Sequence, residues 1–443
     1  MNKLDPDKAY VASDLYLPKS RINEQHIRNS LILKEGRKKH KLYSETTTHI
    51  IVPRYHIPTE QYDELDCEFI KLPKPKFPHV SFTSSILLRE NQKLAWDKLK
   101  EQDDGILNLA PGKGKTILAL HKMAQLKVPT LIIVNTGPLV SQWTNFIRDP
   151  EFLDFHDIGY IGDGLFDWEY PIVIALIQSL YSKPDKLPTG FKEWFGFMIV
   201  DEGQHLGGIE FGKLGPICQG SRLLLSATYK RVDGREDIYR QYFGPIIYSD
   251  KGFDLKPTIK VIELDTRIVE EEHPEKVATQ VAQDKRANLL RANCIKKYSQ
   301  DRKSILVSTR VDQLKALHDL FPNSALIVSD TPKETRIPLL KKSKLSFIID
   351  NFGTEGLDCE ELDTLFILLP ISVNKMTRPD GTMSMLGNDL LQIMGRILRV
   401  CDSKQEPLVI IFDDIHVEPL HKQVSFIKTW LKTNDYQFEV ING

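Results

Sequence analysis

Residues 106–120 read ILNLAPGKGKTILAL, an apolar lead-in, a glycine-containing turn and a helix-forming run. In Gly112-Lys113-Gly114-Lys115-Thr116 the glycines let backbone N–H groups turn inward around anionic oxygens. A helix starting near Lys115 adds the positive end of its dipole. Lys115 then reaches the β- and γ-phosphates of a nucleoside triphosphate, and the Thr116 hydroxyl holds Mg²⁺. The strict pattern G-x-x-x-x-G-K-[ST] is not met, because Leu109 stands at its first glycine. Further on, FMIVDEGQHL ends an apolar run with Asp201 and Glu202. Ligands of α/β sheets sit at the carboxyl ends of strands. Asp201 is suited there to support Mg²⁺, and Glu202 to orient and deprotonate an attacking water. LLLSAT closes another run with Ser226, Ala227 and Thr228. These small hydroxyl residues suit hydrogen bonding between domains or the plainer work of capping a helix.

The elements that must carry these residues are legible as short apolar runs: LIIV at 131–134, IVIALI at 172–177, FMIV at 197–200 and LLLS at 223–226. Continuous runs of this kind suit strands buried on both faces of a parallel sheet. The pattern pauses between Asp250 and Pro257 and restarts with IKVIEL, ILVS, LIVS, FIID, LFILL and LVIIF. The sequence predicts an α/β protein of two tandem parallel-sheet domains, over 81–252 and 253–443. Residues 1–80 have a different texture and form a small N-terminal accessory domain. They carry a basic cluster (Lys34, Arg37, Lys38, Lys39, Lys41), a β-rich stretch from Thr46 to Tyr55, and a proline-rich boundary, KLPKPKFP. The cluster reads either as a solvated helix face or as a surface that holds duplex or junction DNA.

A hydrophobic share of 41% and a charged share of 27% describe a globular chain, and a net charge of -1 confines any nucleic-acid footprint to local patches. The five cysteines are scattered without a CxxC pair, which argues against a zinc site or a disulfide framework. The first residues, MNKLDPDKAY, lack an apolar signal core, and no apolar run is of membrane-spanning length. A cytoplasmic protein is expected.

Taken in order, these motifs resemble the superfamily-two helicases, and most closely the branch of UvsW-type phage branch-migration helicases and XPB-type translocases, over roughly residues 85–440. The resemblance implies two RecA-like domains. It makes Gln92 of LRENQ an adenine reader. It lays VNTGPLVSQW (Thr136, Gln142), IGDG (Gly162) and IALIQSL (Gln178, Ser179) along a nucleic-acid strand. In the second domain, ILVSTRVDQLKAL (Thr309, Arg310) resembles the fourth motif and DNFGTEGLDCEELD the fifth. There Thr354 goes to the strand side and Gly356 and Asp358 to the nucleotide side, with Glu355 between. LLQIMGRILRV fits Q-x-x-G-R-x-x-R through Gln392, Gly395, Arg396 and Arg399. The family's acidic motif is usually DE-x-H or DE-x-D, so Gln204 here occupies the position that couples hydrolysis to strand binding.

Arg396 and Arg399 are spaced by one helical turn and so are expected to face one way, as a pair of arginine fingers for the γ-phosphate. The implied machine is an ATP- and Mg²⁺-dependent DNA helicase or translocase on forked or branched DNA, working as a monomer, in the host cytoplasm if phage-encoded. An RNA or RNA–DNA hybrid helicase is the alternative within the same fold. A nucleotide-dependent DNA-binding module or translocating subunit that unwinds nothing and serves a partner is the alternative of a different functional class. The segment 374–389, with Lys375, Arg378 and turn residues Pro379-Asp380-Gly381, reads as a surface loop or a strand-separating element.

Overall fold

The computed structural model describes residues 4–35, 38–181, 187–203, 214–227, 237–250, 252, 255–267, 274–349, 359–377, 383–399, 401 and 404–443. They form two compact units. The first takes in residues 1–109, 113–231 and 235–251, the second residues 110–112, 232–234 and 252–443.

The first unit opens with short strands, β1 (Ala9–Val11), β2 (Asp14–Pro18), β3 (Ile32–Glu35), β4 (Lys38–Lys41), β5 (Ser44–Glu45), β6 (His49–Pro53) and β7 (Phe69–Lys71). Five of them make a sheet in the order β5-β6-β2-β1-β7, while β3 and β4 pair as an antiparallel hairpin. Leu15, Leu17, Ile50 and Val52 recur at every second position of their strands and meet Leu31 and Leu42 in a small core. Lys34, Lys38, Lys39 and Lys41 of the basic cluster therefore fall on the paired strands β3 and β4 and not on a helix face, Lys39 and Lys41 are exposed, and Arg37 lies outside the described residues.

This small sheet is fastened to the larger sheet of the same unit by buried polar contacts at Asp104. The Asp104 carboxylate pairs with Arg54 at 2.8 Å and accepts from the Tyr55 hydroxyl at 2.8 Å and from the Arg222 N–H at 2.8 Å. Arg222, itself buried, donates to the Ser13 carbonyl at 2.8 Å. Removing one partner of such a pair costs about 3–5 kcal/mol, because the other charge is left in a dry site. The proline-rich stretch has no regular structure, yet its continuation packs: Val80, Phe82 and Ile86 are buried in the core of the larger sheet.

Eight strands build the larger sheet: β8 (Asp104–Leu109), β9 (Thr130–Val134), β10 (Ile158–Gly162), β11 (Leu165–Phe166), β12 (Ile172–Leu176), β13 (Phe197–Val200), β14 (Ser221–Ser226) and β15 (Ile246–Asp250). Their order is β11-β10-β12-β9-β13-β14-β8-β15, and every neighbouring pair is parallel except β10–β11. β9 and β13 are buried along their whole length, as their apolar runs require when helices cover both faces.

In the second unit, β16 (Thr258–Leu264), β17 (Ser304–Ser308), β18 (Ala325–Ile327), β19 (Leu345–Ile349), β20 (Thr364–Ile367), β23 (Leu408–Asp414) and β24 (Glu439–Asn442) form a wholly parallel sheet, ordered β18-β19-β17-β20-β23-β16-β24. Ranked along the chain within each sheet, with the extra hairpin strand β11 set aside, both sheets read 3-4-2-5-6-1-7. The segment read as a surface loop or a strand-separating element holds an antiparallel pair of strands, β21 (Asn374–Thr377) with β22 (Met383–Leu386). Arg291 and Asp414 form a fully buried ion pair at 2.5 Å in this unit.

Candidate active site

β8 runs into the glycine loop and then the helix Lys115–Leu126. Gly112 and Gly114 adopt φ of +82° and +81°, a left-handed backbone that favours glycine. A Cβ on Gly114 would also stand 2.0 Å from Gln92 Nε2. Gln92 is brought there by the helix Glu90–Leu99, where its Oε1 accepts from the Arg89 N–H at 2.9 Å. Buried Lys122 caps the other end of this helix by donating to the Lys100 carbonyl at 2.7 Å, and burial pulls its pKa down. Lys115 is buried and donates to the Leu109 carbonyl at 2.9 Å, so its ammonium folds back over the loop. Thr116 follows in the first turn, and Lys113 pairs with Asp250 at 3.3 Å. Left-handed glycines, an N-terminal helix turn and an inward lysine fit a bound triphosphate.

Asp201 follows β13 directly. Its N–H bonds to the Ile133 carbonyl at 2.9 Å, and its Oδ1 accepts from the Glu202 N–H at 2.9 Å. Its Oδ2 accepts from the Trp143 indole N–H at 2.9 Å. Burial, helped by the neighbouring Glu202 charge, pushes the Asp201 carboxyl up to about 6, against Lys115 and the Trp143 N–H, which favour the ionised form. Glu202 takes φ +51°, which is uncommon for a residue with a side chain and marks a constrained turn. Ser226 closes β14 and is 1% exposed.

Because β13, β14 and β8 are neighbours, the acidic pair, Ser226 and the phosphate loop line up along one stretch of the sheet's carboxyl edge. The residues expected to meet a nucleic-acid strand continue the same edge over β9, β12 and β10. Thr136 is the N-cap of the helix Gly137–Arg148, which also carries Gln142. Among the described residues the buried Thr136 hydroxyl has no hydrogen-bond partner. Gln178 lies in the short helix Ile177–Tyr181 after β12 and donates to the Asn135 carbonyl at 3.2 Å, with Ser179 beside it. Gly162 ends β10 in a tight hairpin whose Asp163 and Gly164 have φ of +48° and +90°. Asp-Gly is the dipeptide such a turn demands, so IGDG is a hairpin as well as a candidate strand contact.

In the second unit, Arg310 follows β17 and donates to Thr279 at 3.1 Å and to the Thr309 carbonyl at 3.2 Å. The turn is braced by Ser308, whose hydroxyl donates to Gln313 at 2.7 Å. The helix Asn388–Ile397 buries Leu390, Ile393, Met394 and Ile397, and Gln392 is 4% exposed. This helix ends at Ile397, so Arg399 lies beyond it and does not stack one turn above Arg396. The sequence spacing is that of a helix, but Leu398, the C-cap at φ -102° and ψ 10°, already leaves it. Burial lowers the Arg399 pKa. Gln204, Thr228, Thr354, Glu355, Gly356, Asp358 and Arg378, and the side chain of Lys375, lie outside the described residues. Sequence reasoning missed Trp143, the Arg54–Tyr55–Asp104 cluster and the Arg291–Asp414 pair. A buried Trp or Arg advertises no partner in sequence.

Residues 85–231 match the family described as Type III restriction enzyme, res subunit. The DNA 3'-5' translocase XPB2 of Sulfurisphaera tokodaii is 33% identical over 186 residues, 42% of this chain and 40% of that one. The chain resembles the superfamily-two helicases. A protein of Acanthamoeba polyphaga mimivirus named "Putative ATP-dependent RNA helicase" is 26% identical over 430 residues, 90% of this chain and 77% of its own length. Among solved structures, S. cerevisiae Dbp5 bound to RNA and ADP BeF3 covers 80% of this chain and 89% of its own, at 12% identity and a TM-score of 0.54. The fold is thus that of tandem RecA-like domains.

Proposed function

We propose that this chain is an ATP-dependent DNA helicase or translocase that acts on forked or branched DNA, as in branch migration and fork remodelling. One observation carries the reading: along one carboxyl edge, three neighbouring strands end in the phosphate loop, Ser226 and the Asp201–Glu202 pair, and the next three end in Thr136, Gln178 and Gly162. Nucleotide chemistry and strand contacts thereby share one rigid sheet.

In this mechanism the loop N–H groups and Lys115 bind the triphosphate, and Gln92 reads its base. Mg²⁺, held by Thr116 and Asp201, would neutralise charge on the β- and γ-phosphates. Glu202 takes a proton from the attacking water. Arg396 and Arg399 stabilise the negative charge that grows on the transferred phosphoryl group, with Gly356 and Asp358 on the nucleotide side. Gln392 supports them, and Gln204, Ser226 and Thr228 relay the nucleotide state to the strand contacts. Thr136, Gln142, Gly162, Gln178, Ser179, Thr309, Arg310, Thr354, Lys375 and Arg378 hold the backbone of a DNA strand without reading its sequence. The exposed Lys39 and Lys41 of the β3–β4 hairpin suit it to lie against duplex phosphates. Among the described residues no helix is long and apolar enough to cross a membrane. The protein works as a monomer in the cytoplasm, that of the host if it is phage-encoded.

The test is steady-state ATPase with forked DNA, four-way junctions, RNA duplex and RNA–DNA hybrid in competition, followed by strand displacement on the best activator. Fork or junction DNA is expected to stimulate most. Preference for RNA or hybrid, in line with the name of the mimivirus relative, would replace the substrate. Stimulation without displacement would make the protein a translocase, as its Sulfurisphaera tokodaii relative is named.

A further inference from the structure

The helix Gly137–Arg148 has two working faces. Leu139, Trp143 and Ile147 recur at the spacing of one helical stripe and are buried against the sheet. Its N-cap Thr136 and the half-buried Gln142 belong to the part of the edge assigned to the nucleic-acid strand. Trp143, 1% exposed, donates its indole N–H to Asp201 Oδ2 at 2.9 Å, across 58 residues of sequence. A buried indole N–H needs an acceptor. The acceptor here is the carboxylate assigned to metal binding.

The second carboxylate oxygen, Oδ1, is taken by the Glu202 N–H at 2.9 Å. With one donor on each oxygen the carboxylate plane is fixed, and one of the two donors rides on the strand-facing helix. That helix follows β9, the immediate neighbour of β13, which carries Asp201. The seam between the nucleotide half and the strand half of the edge therefore runs between these two strands, and the indole crosses it. Gln204, at the position that ordinarily couples the two halves, departs from the usual residue.

We propose that Trp143 is a positioning residue that ties strand binding to hydrolysis: displacement of the helix Gly137–Arg148 by an engaged strand re-aims the Asp201 carboxylate through the indole N–H. The proposal rests on the functional reading above. Trp143 touches neither nucleotide nor strand in this role and acts through Asp201.

The experiment uses the full chain labelled with 5-fluorotryptophan. The five tryptophans give five ¹⁹F signals, and the one missing from Trp143→Phe is assigned to Trp143. Asp201→Asn, MgADP, and single-stranded oligothymidylate without nucleotide should each shift that signal. Trp143→Phe keeps an aromatic ring in the core and deletes only the donor. It should lower kcat of DNA-stimulated hydrolysis by about tenfold and raise the half-saturating Mg²⁺ several-fold, with KM for ATP, affinity for DNA and melting temperature close to wild type. A Trp143 signal inert to oligothymidylate overturns the proposal when wild-type hydrolysis is DNA-stimulated. So does a variant that only melts earlier while its Mg²⁺ dependence is unchanged. Wild-type protein that hydrolyses no ATP with any nucleic acid overturns the functional reading, and the coupling role falls with it.

Discussion

The two parallel sheets share one wiring, 3-4-2-5-6-1-7, and differ in what leaves their strands. After its first strand, the first sheet turns through Gly112 and Gly114 into a helix headed by a buried lysine. After its first strand, the second sheet passes to Asp265, Thr266 and Arg267, with Arg267 folded onto Asp265 at 3.0 Å. After the fifth strand the first sheet places Asp201 and Glu202, whereas the second places the β21–β22 hairpin and then the helix that leads to Arg396 and Arg399. Topology decides where a site is able to form, and the residues in the connections decide its chemistry. Each unit also holds a buried structural ion pair, Arg54–Asp104 in the first and Arg291–Asp414 in the second, the latter with both side chains fully buried.

That comparison is tested most visibly at the fully buried pair. Arg291→Ala should cost about 3–5 kcal/mol, seen as an earlier urea transition, because the Asp414 carboxylate is left in a dry core without its guanidinium. Lys115→Ala in the first unit should leave urea stability nearly intact and lower nucleic-acid-stimulated ATPase by about 10²–10³, a loss confined to chemistry. Gly114→Ala lies between the two. Its left-handed backbone and the close approach of Gln92 Nε2 should cost about 1–3 kcal/mol and weaken binding of a fluorescent ATP analogue. The smallest effect on turnover is expected for the β21–β22 hairpin: replacing residues 376–384 by a short glycine turn should leave ATPase within about twofold while strand displacement fails. Loss of both together would make that hairpin part of the hydrolytic machinery.

Much of this was legible from residues alone, for a physical reason. A strand buried on both faces must be apolar throughout, and LIIV, FMIV and LLLS announced β9, β13 and β14. The glycine loop was readable because few backbones besides glycine reach φ near +80°. β15 was hidden, because an edge strand of sequence IIYSD is only half-buried and carries no continuous run. The end of the helix before Arg399 was hidden too, since Q-x-x-G-R-x-x-R keeps helical spacing past the point where the backbone leaves the helix. Contacts between distant residues, such as Trp143 with Asp201 or Arg54 with Asp104, leave no periodic trace at all.

Asp104 bears on how the molecule is to be dissected. It begins the strand that ends in the phosphate loop, and two of its partners, Arg54 and Tyr55, come from the N-terminal sheet. Cutting the chain at the proline-rich stretch would take Arg54 and Tyr55 away from the buried Asp104 carboxylate. A shortened protein made that way would report on its own damage. Exchanging the lysines of the β3–β4 hairpin one at a time asks the same question and leaves the joint whole.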